Sequence, residues 1–402
     1  AETLTRSDVS EPAREEYTAF FNDLWRTWTG TIAEGRGVPV DTVSAWVDGA
    51  LYTAAAAKER GIVDDLVYSD EVKKRVLDSV QGSPRMVTTK RYFARETARE
   101  EWKDMTSPKI ALIYAVGNIN TGRSTSSPLG GKVMGSETIA KAIRDARNDR
   151  RVKAIVLRVD SGGGSALASD IILREVERTT NPDLEGRHIP LIVSFSDIAG
   201  SGGYYIACKA DTIVAPPTCL TGSIGVVGGK FILADLYRKL GITHDGIRYG
   251  RNAGLGSTLE PWNEEQLTMV RASMEEVYDR FVRHVSEGRG LDTARVKEIG
   301  QGRIWSGIAA RQRGLVDVEG GLRTAIDIAR DRAGMDPDRP VQLVVYPRIP
   351  GINVRIEAQY VRLAAMPLYK REALITEEAK RRISGDGVML LCPLDEKDLP
   401  RE

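Results

Sequence analysis

Histidine and cysteine are scarce in this chain, three of each among 402 residues, and no apolar run reaches the roughly 18 residues that a membrane-spanning helix needs. Cys208, Cys219 and Cys392 lack metal-ligand spacing, so neither a zinc site nor a necessary disulfide is expected. Charge is balanced, with 57 basic and 56 acidic residues, and a nucleic-acid partner is therefore excluded. Gly162 to Ser165 is followed by no Walker lysine and has no G-x-G-x-x-G spacing, which argues against a phosphate loop. No cofactor is expected. The chain opens on Ala1 without a signal peptide, and a truncated or processed polypeptide is the simplest reading.

What is present is a serine among glycines. Pro190 to Ser196 reads as an apolar strand, and Asp197-Ile198-Ala199-Gly200-Ser201-Gly202-Gly203-Tyr204-Tyr205 passes from it into a helical stretch continuing to Lys209. Glycines on both sides allow a sharp turn and the approach of a carbonyl, while free N–H groups at a helix start can hold an oxyanion. Ser201 is thus a candidate nucleophile; the alternative is a packing turn.

A second strand, Lys153 to Val159, runs into Asp160-Ser161-Gly162-Gly163-Gly164-Ser165 and then a helical pattern from Leu167 to Arg178. On neighbouring parallel strands the two turns would bring the amides of Gly202 and of Gly163 or Gly164 around one point beside Ser201, as acyl transfer requires. A third segment, Ala210 to Ala215, leads to Thr221-Gly222-Ser223-Ile224-Gly225.

Taken in order, these three motifs resemble the signal peptide peptidase A (protease IV) family of serine proteases, and the resemblance extends from about Ile110 to Ile328. It implies an α/β fold of the crotonase/Clp-protease type, a ββα superhelix. It also implies Ser201 as nucleophile, Gly202 with Gly163 or Gly164 as oxyanion donors, and Ser223 as the hydroxyl that supports a lysine base. Gly162 stands where relatives commonly have proline, so the second oxyanion amide stays open between the two glycines. Implied too are apolar peptide substrates such as released signal peptides, a homo-oligomer resembling a tetrameric ring, and the cell envelope, on the periplasmic side of the cytoplasmic membrane. Membrane association would run through an N-terminal segment outside this sequence.

The expected lysine leads to an internal repeat. Glu34-Gly35-Arg36-Gly37 recurs as Glu287-Gly288-Arg289-Gly290, and Arg60-Gly61-Ile62-Val63-Asp64 as Arg313-Gly314-Leu315-Val316-Asp317, both offset by 253 residues. Trp25, Trp28 and Ile32 fall on Tyr278, Phe281 and Val285. The chain thus carries the end of a first copy and a complete second one. In half-length relatives the lysine follows a strand equivalent to Ile242 to Arg248, but here Tyr249-Gly250-Arg251-Asn252-Ala253 contains none. In duplicated relatives it comes from the first copy, and the offset puts it at or just before residue 1.

Other bases are weaker candidates. Lys209 lies about 12 Å from Ser201 along a helix and reads as a solvated helix-end residue; Lys230 is an outside possibility. An α/β-hydrolase reading would use His244 with Asp211 or Asp235, or His284, but leaves two glycine motifs unexplained. His188 reads as a surface loop residue, and a Clp-type histidine near Ile224 to Val227 is absent. A catalytically inactive scaffold is the competing non-enzymatic class. By region, residues 1–80 read as the helical end of the first repeat and 81–108 as a polar connector. Residues 109–330 form the full second repeat, with a helix capped by Ser136, and 331–402 form an extension with strands at Val341 to Tyr346 and Gly387 to Leu391 around a charged helix near Ile375 to Ile383.

Overall fold

A computed structural model describes residues 8–49, 51–81, 86–89, 91–92, 108–127, 131–245, 250–336, 341–347 and 388–391. The chain divides into residues 21–107 and a larger unit of residues 1–20 with 108–402. Helix α1 (Glu11–Arg36) begins in the larger unit and continues into the smaller, where α2 (Val40–Asp48), α3 (Ala54–Glu59) and α4 (Ser69–Asp78) follow. Gly37 at φ 63° ends α1, and the Thr53 hydroxyl caps α3 by accepting the Ala56 N–H. The Arg36 guanidinium ties the turns together, donating to the Gly61 carbonyl and to Asp64 at 3.0 Å.

In the larger unit, strand β1 (Lys109–Val116) is followed by the short β2 (Asn118–Asn120), β3 (Thr125–Ser127), β4 (Gly131–Gly135) and helix α5 (Ser136–Asn148). Strands β5 (Val152–Ser161) and β6 (Gly163–Ser165) lead to α6 (Ala166–Thr180), and β7 (Leu191–Gly200) leads to the four-residue α7 (Gly202–Tyr205). After β8 (Thr212–Ala215), β9 (Leu220–Gly222) and β10 (Val227–Gly228) come α8 (Glu264–Arg289), α9 (Thr293–Ile299), β11 (Ile304–Trp305), α10 (Gly307–Gln312), β12 (Val318–Glu319) and α11 (Leu322–Arg332). Two short helices, Pro182–Glu185 and Ala234–Lys239, precede β7 and α8, and strands β13 (Gln342–Tyr346) and β14 (Val388–Leu391) are the last described elements. The first two units, β1 with β2–β4 and β5 with β6, each give a long strand to one sheet and short strands to another before the helix, the expected ββα pattern, whereas β7 passes directly into α7. The main sheet runs β11-β9-β7-β5-β1-β13 with β8 and β12 branching beside β7, and the second runs β10-β14-β6-β2-β4-β3.

Parallel pairing explains the near-continuous apolar runs of β1, β5 and β7, because helices cover both faces of such a sheet. Alternation then sorts the side chains. Ala111, Ile113 and Ala115 face the large core under α5, α6 and α8, whereas Ile110 and Leu112 face Ala325 and Ala329 of α11. Three local expectations change. Gly135, not Ser136, is the N-cap of α5, and Ser136 is its first helical residue. The α-helix after Ser201 ends at Tyr205 and gives way to turns before Lys209. Ile242 to Asp245 form no strand, while residues 246–249 and the helix expected near Ile375 to Ile383 lie outside the described residues.

Elements 253 residues apart correspond: α2, α3 and α4 begin one offset before α9, α10 and α11. Helices α1 and α8 have the same 26-residue length, and Arg289 repeats the Arg36 clasp by donating to the Gly314 carbonyl and pairing with Asp317. The surroundings differ: Phe281 and Val285 are fully buried in α8, whereas Trp28 and Ile32, one offset earlier in α1, are 51% and 43% exposed.

One buried ion pair joins β13 to the sheet. Lys109, 1% exposed, donates to Asp149 at 2.8 Å, and the Tyr346 hydroxyl donates to the same carboxylate at 3.0 Å. Burial acts to raise the Asp149 carboxyl, but these donors and the Arg151 N–H hold it down at about 2. A depressed carboxylate contributes stability that is complete above its unfolded pKa near 4 and is lost as pH falls through about 2. Lys109→Met is therefore expected to lower stability in urea at pH 7 by about 2 kcal/mol and to flatten the acid limb between pH 4 and 2. Unfolding curves matching the parent at both pH values would contradict this role.

Candidate active site

Strand β7 is buried along its first half and again over its last three residues, and it delivers Ser201 at its C-terminal end. The serine has φ 52° and ψ −116°, a conformation that costs a non-glycine residue about 1–3 kcal/mol. Two backbone bonds hold it there: its N–H donates to the Gly222 carbonyl at 2.9 Å, and its carbonyl accepts the Tyr205 N–H at 2.8 Å. The Ser201 side chain is fully buried, and its Oγ has no hydrogen-bond partner among the described residues. An unpaired buried hydroxyl costs about 1–3 kcal/mol more. A mere packing turn would avoid both costs with glycine.

The two glycine turns meet at this point. A Cβ on Gly202 would lie 3.2 Å from the Gly163 Cα, 3.2 Å from the Ile119 Cδ1 and 2.7 Å from the Ser169 Oγ, while one on Gly203 would lie 2.5 Å from the Ser161 carbonyl. Gly164, at φ 148°, presses on β2 so closely that a Cβ would come within 2.1 Å of the Ile119 carbonyl. As the first residue of α7, Gly202 has an N–H with no intrahelical acceptor. The Gly163 N–H is already engaged, donating to the Ser161 Oγ at 3.1 Å, and that hydroxyl donates to the Gly117 carbonyl at 2.7 Å. Ile119 and Ser169, which fill the space against Gly202, lie outside every motif in the sequence.

Ser223 arrives on the neighbouring strand. Parallel pairing of Ala199 with Thr221 and Gly200 with Gly222 brings Ser201 and Ser223 out at the same end of β7 and β9. The Thr221 hydroxyl donates to the Ala199 carbonyl at 2.7 Å and fastens this register. Ser223 is buried, has φ 49°, and donates its N–H to the Arg303 carbonyl.

The other titratable candidates are elsewhere. His188 pairs with Asp211 at 2.8 Å, and Asp211 binds the Leu191 N–H. Leu191 begins the ten-residue β7, so this pair is about 30 Å of strand from Ser201 and Asp211 cannot orient a base there. His244 lies against the Tyr237 ring, and His284 sits behind α7 against Asp170 and the Tyr205 ring. Lys209 is not a solvated helix end: its side chain is mostly buried and its amine bridges Glu177 and Glu287 at 2.5 and 2.6 Å. Burial acts to lower that amine, but the two carboxylates hold it above its ordinary pKa, the wrong direction for a base. Glu177, His284 and Glu287 bring their ligand atoms within 4.8 Å of one another, and Lys209 already supplies the cation that neutralises the glutamates. Lys230 donates to the Leu255 carbonyl at 3.2 Å and lies over the Trp262 ring. Cys208 is fully buried, and burial pushes its thiol up to about 12, which leaves it inert. Among the described residues no helix is long and apolar enough to cross a membrane.

Comparison with known proteins gives these features a lineage. The chain is 32% identical over 399 residues to the chloroplastic serine protease SPPA of Arabidopsis thaliana, an alignment covering 96% of this chain and 57% of that protein. It is 31% identical to Protease 4 of Haemophilus influenzae, covering 85% of this chain and 55% of the relative. A putative signal peptide peptidase SppA of Enterococcus faecium is 30% identical over 59% of this chain and 67% of its own length. The chain thus spans little more than half the length of the long relatives it matches. Among solved structures, a ClpP1 mutant of Listeria monocytogenes aligns over 54% of this chain and 94% of its own at 13% identity and a TM-score of 0.35, too distant to bear on function. The model of peptidase family S49 matches residues 1–81 and 184–336, more than half of the sequence. This chain belongs to peptidase family S49.

Proposed function

We propose that this chain carries the nucleophile of a serine endopeptidase that cleaves extended apolar peptides, released signal peptides among them, through an acyl-enzyme. The observation that carries the reading is Ser201: a buried hydroxyl without a hydrogen-bond partner among the described residues, held at a positive φ where two glycine turns meet. Its Oγ attacks the peptide carbonyl, and the Gly202 N–H with an amide of the Gly163-Gly164 turn holds the negative charge on oxygen. The Gly163 N–H serves only if it leaves the Ser161 Oγ. The proton goes to an uncharged lysine, which passes it to the departing amine; water then releases the acyl group by the reverse steps. Burial lowers the pKa of that lysine toward neutrality, and the Ser223 hydroxyl orients it.

The lysine is assigned to a position immediately before Ala1, one offset from Ala253. The exposed Trp25, Trp28 and Ile32 support a missing first-repeat layer, since their counterparts in α8 pack on the core of the second. In the same reading the whole protein is a homo-oligomeric ring in the cell envelope, on the periplasmic side of the cytoplasmic membrane and anchored by a segment outside this sequence. An inactive scaffold is favoured only by the lack, among the described residues, of a suitable amine at Ser201.

The test is labelling of the complete protein with a fluorophosphonate. Modification is expected on Ser201, to vanish in Ser201→Ala and to persist in Cys208→Ala. Label retained on Ser161, Ser165 or Ser223 in the Ser201→Ala variant would overturn the assignment.

A further inference from the structure

Helix α7 is too short to hold its own direction. Its four residues make one turn, and a single turn is unstable in isolation because fixing its dihedrals costs more than its few hydrogen bonds return. Yet α7 sets the geometry at the serine. Gly202, the proposed oxyanion donor, is its first residue, and the Tyr205 N–H at its end donates to the Ser201 carbonyl at 2.8 Å. A change in the tilt of α7 therefore moves the Ser201 hydroxyl and the Gly202 N–H together.

Side chains fix that tilt. Residues 204 and 205 point about 100° apart around the helix axis, and each ends in a hydroxyl bonded to a different element. Tyr204 donates to the Leu315 carbonyl at 2.9 Å, and Tyr205 donates to Asp170 Oδ1 of α6 at 2.8 Å. Their rings pack near Phe195 and Phe281, so phenylalanine suits this core and the two hydroxyls serve the two bonds. The Asp170 bond has a further partner. Asp170 is half-buried, His284 of α8 brings Nε2 to 3.5 Å from the same Oδ1, and the His284 ring stands edge-on to Tyr205 with centroids 5.4 Å apart. His284, and then the Tyr205 hydroxyl, hold the Asp170 carboxyl below its ordinary pKa against the effect of burial. Burial and that carboxylate push the Tyr205 phenol up, so it stays protonated as a donor. On α6 the preceding Ser169 puts its Oγ 2.7 Å from where a Cβ on Gly202 would stand. One helix thus braces both ends of α7.

We propose that Tyr205 and Asp170 are positioning residues for acylation: their hydrogen bond, supported by His284, sets the tilt of α7 and so aligns the Ser201 hydroxyl and the Gly202 N–H with the substrate carbonyl. The proposal rests on the reading of Ser201 as nucleophile. Asp170 keeps His284 and water as partners when the Tyr205 hydroxyl is removed, so the loss falls on the geometry of the site more than on the fold.

The measurement is the saturation kinetics of fluorophosphonate labelling in the complete protein. Tyr205→Phe and Asp170→Leu are each expected to lower the limiting rate about tenfold, with the half-saturating concentration and the final labelled fraction unchanged. Asp170→Asn keeps an acceptor oxygen and should stay within about threefold of the parent, while Tyr205→Phe combined with Asp170→Leu should be no slower than either alone, because the same bond is lost in each. A merely structural role would lower the labelled fraction and leave the rate of the remaining molecules unchanged. That result, additive losses in the double variant, or a Tyr205→Phe rate equal to the parent's would overturn the proposal. Amide hydrogen exchange separates it from the reading it rests on, since Tyr205→Phe should speed exchange in α7 whether or not Ser201 reacts. Faster exchange with an unlabelled parent defeats the peptidase reading alone, whereas a labelled parent with unchanged exchange and rate in Tyr205→Phe defeats the brace alone.

Discussion

Residues 1–402 alone are expected to hydrolyse peptides at least about a thousandfold more slowly than a protein extended upstream by the rest of the first repeat. The 253-residue offset maps Ala253, the second-copy position proposed to correspond to the base, onto the residue before Ala1. Among the described residues neither candidate amine replaces it: Lys209 is held charged between Glu177 and Glu287, and Lys230 is engaged with Leu255 and Trp262. Without a base Ser201 keeps an ordinary hydroxyl pKa, and the oxyanion donors by themselves give only residual catalysis. A lysine within a few residues upstream of Ala1 should restore turnover, and its replacement by alanine should remove it while circular dichroism stays unchanged. Full activity in the 402-residue chain would put the base inside it, with Lys230 the first residue to replace.

Gly164→Ala is expected to lower the rate of Ser201 acylation by about 10²- to 10³-fold, the scale of losing one oxyanion donor. At φ 148° an alanine is strained, and its Cβ would meet the Ile119 carbonyl at 2.1 Å. The backbone of β6 must then move away from β2, and Gly163, which packs on Gly202, moves with it. The three atoms nearest this Cβ all belong to the Ile119 backbone of β2, so the loss should appear in the fluorophosphonate labelling rate while far-ultraviolet circular dichroism is retained. Labelling within threefold of the parent would remove the Gly163-Gly164 turn from the site.

Local patterns alone determined the strand-turn-helix units, because apolar runs such as Ile155-Val156-Leu157 suit a sheet covered on both faces and glycines mark turns that side chains cannot follow. They also determined the repeat: a helix, its terminating glycine and the arginine that clasps the next turn form one local unit, so Glu34 to Gly37 and Glu287 to Gly290 build the same structure. Cys208 as a buried residue was legible from its place after the serine. Ser136 was misread as a cap because capping depends on one residue's backbone angles, which Gly135 adopts instead. Lys209 was misread as solvated because its partners, Glu177 and Glu287, come from helices distant in sequence. Only the tertiary structure decided that the Gly163 N–H is engaged by Ser161, that Ile119 and Ser169 close on Gly202, and that β14 pairs with both β6 and β10. Each is a contact between strands or turns far apart along the chain, set by register and close packing, and neither hydrophobic periodicity nor a short motif carries that information.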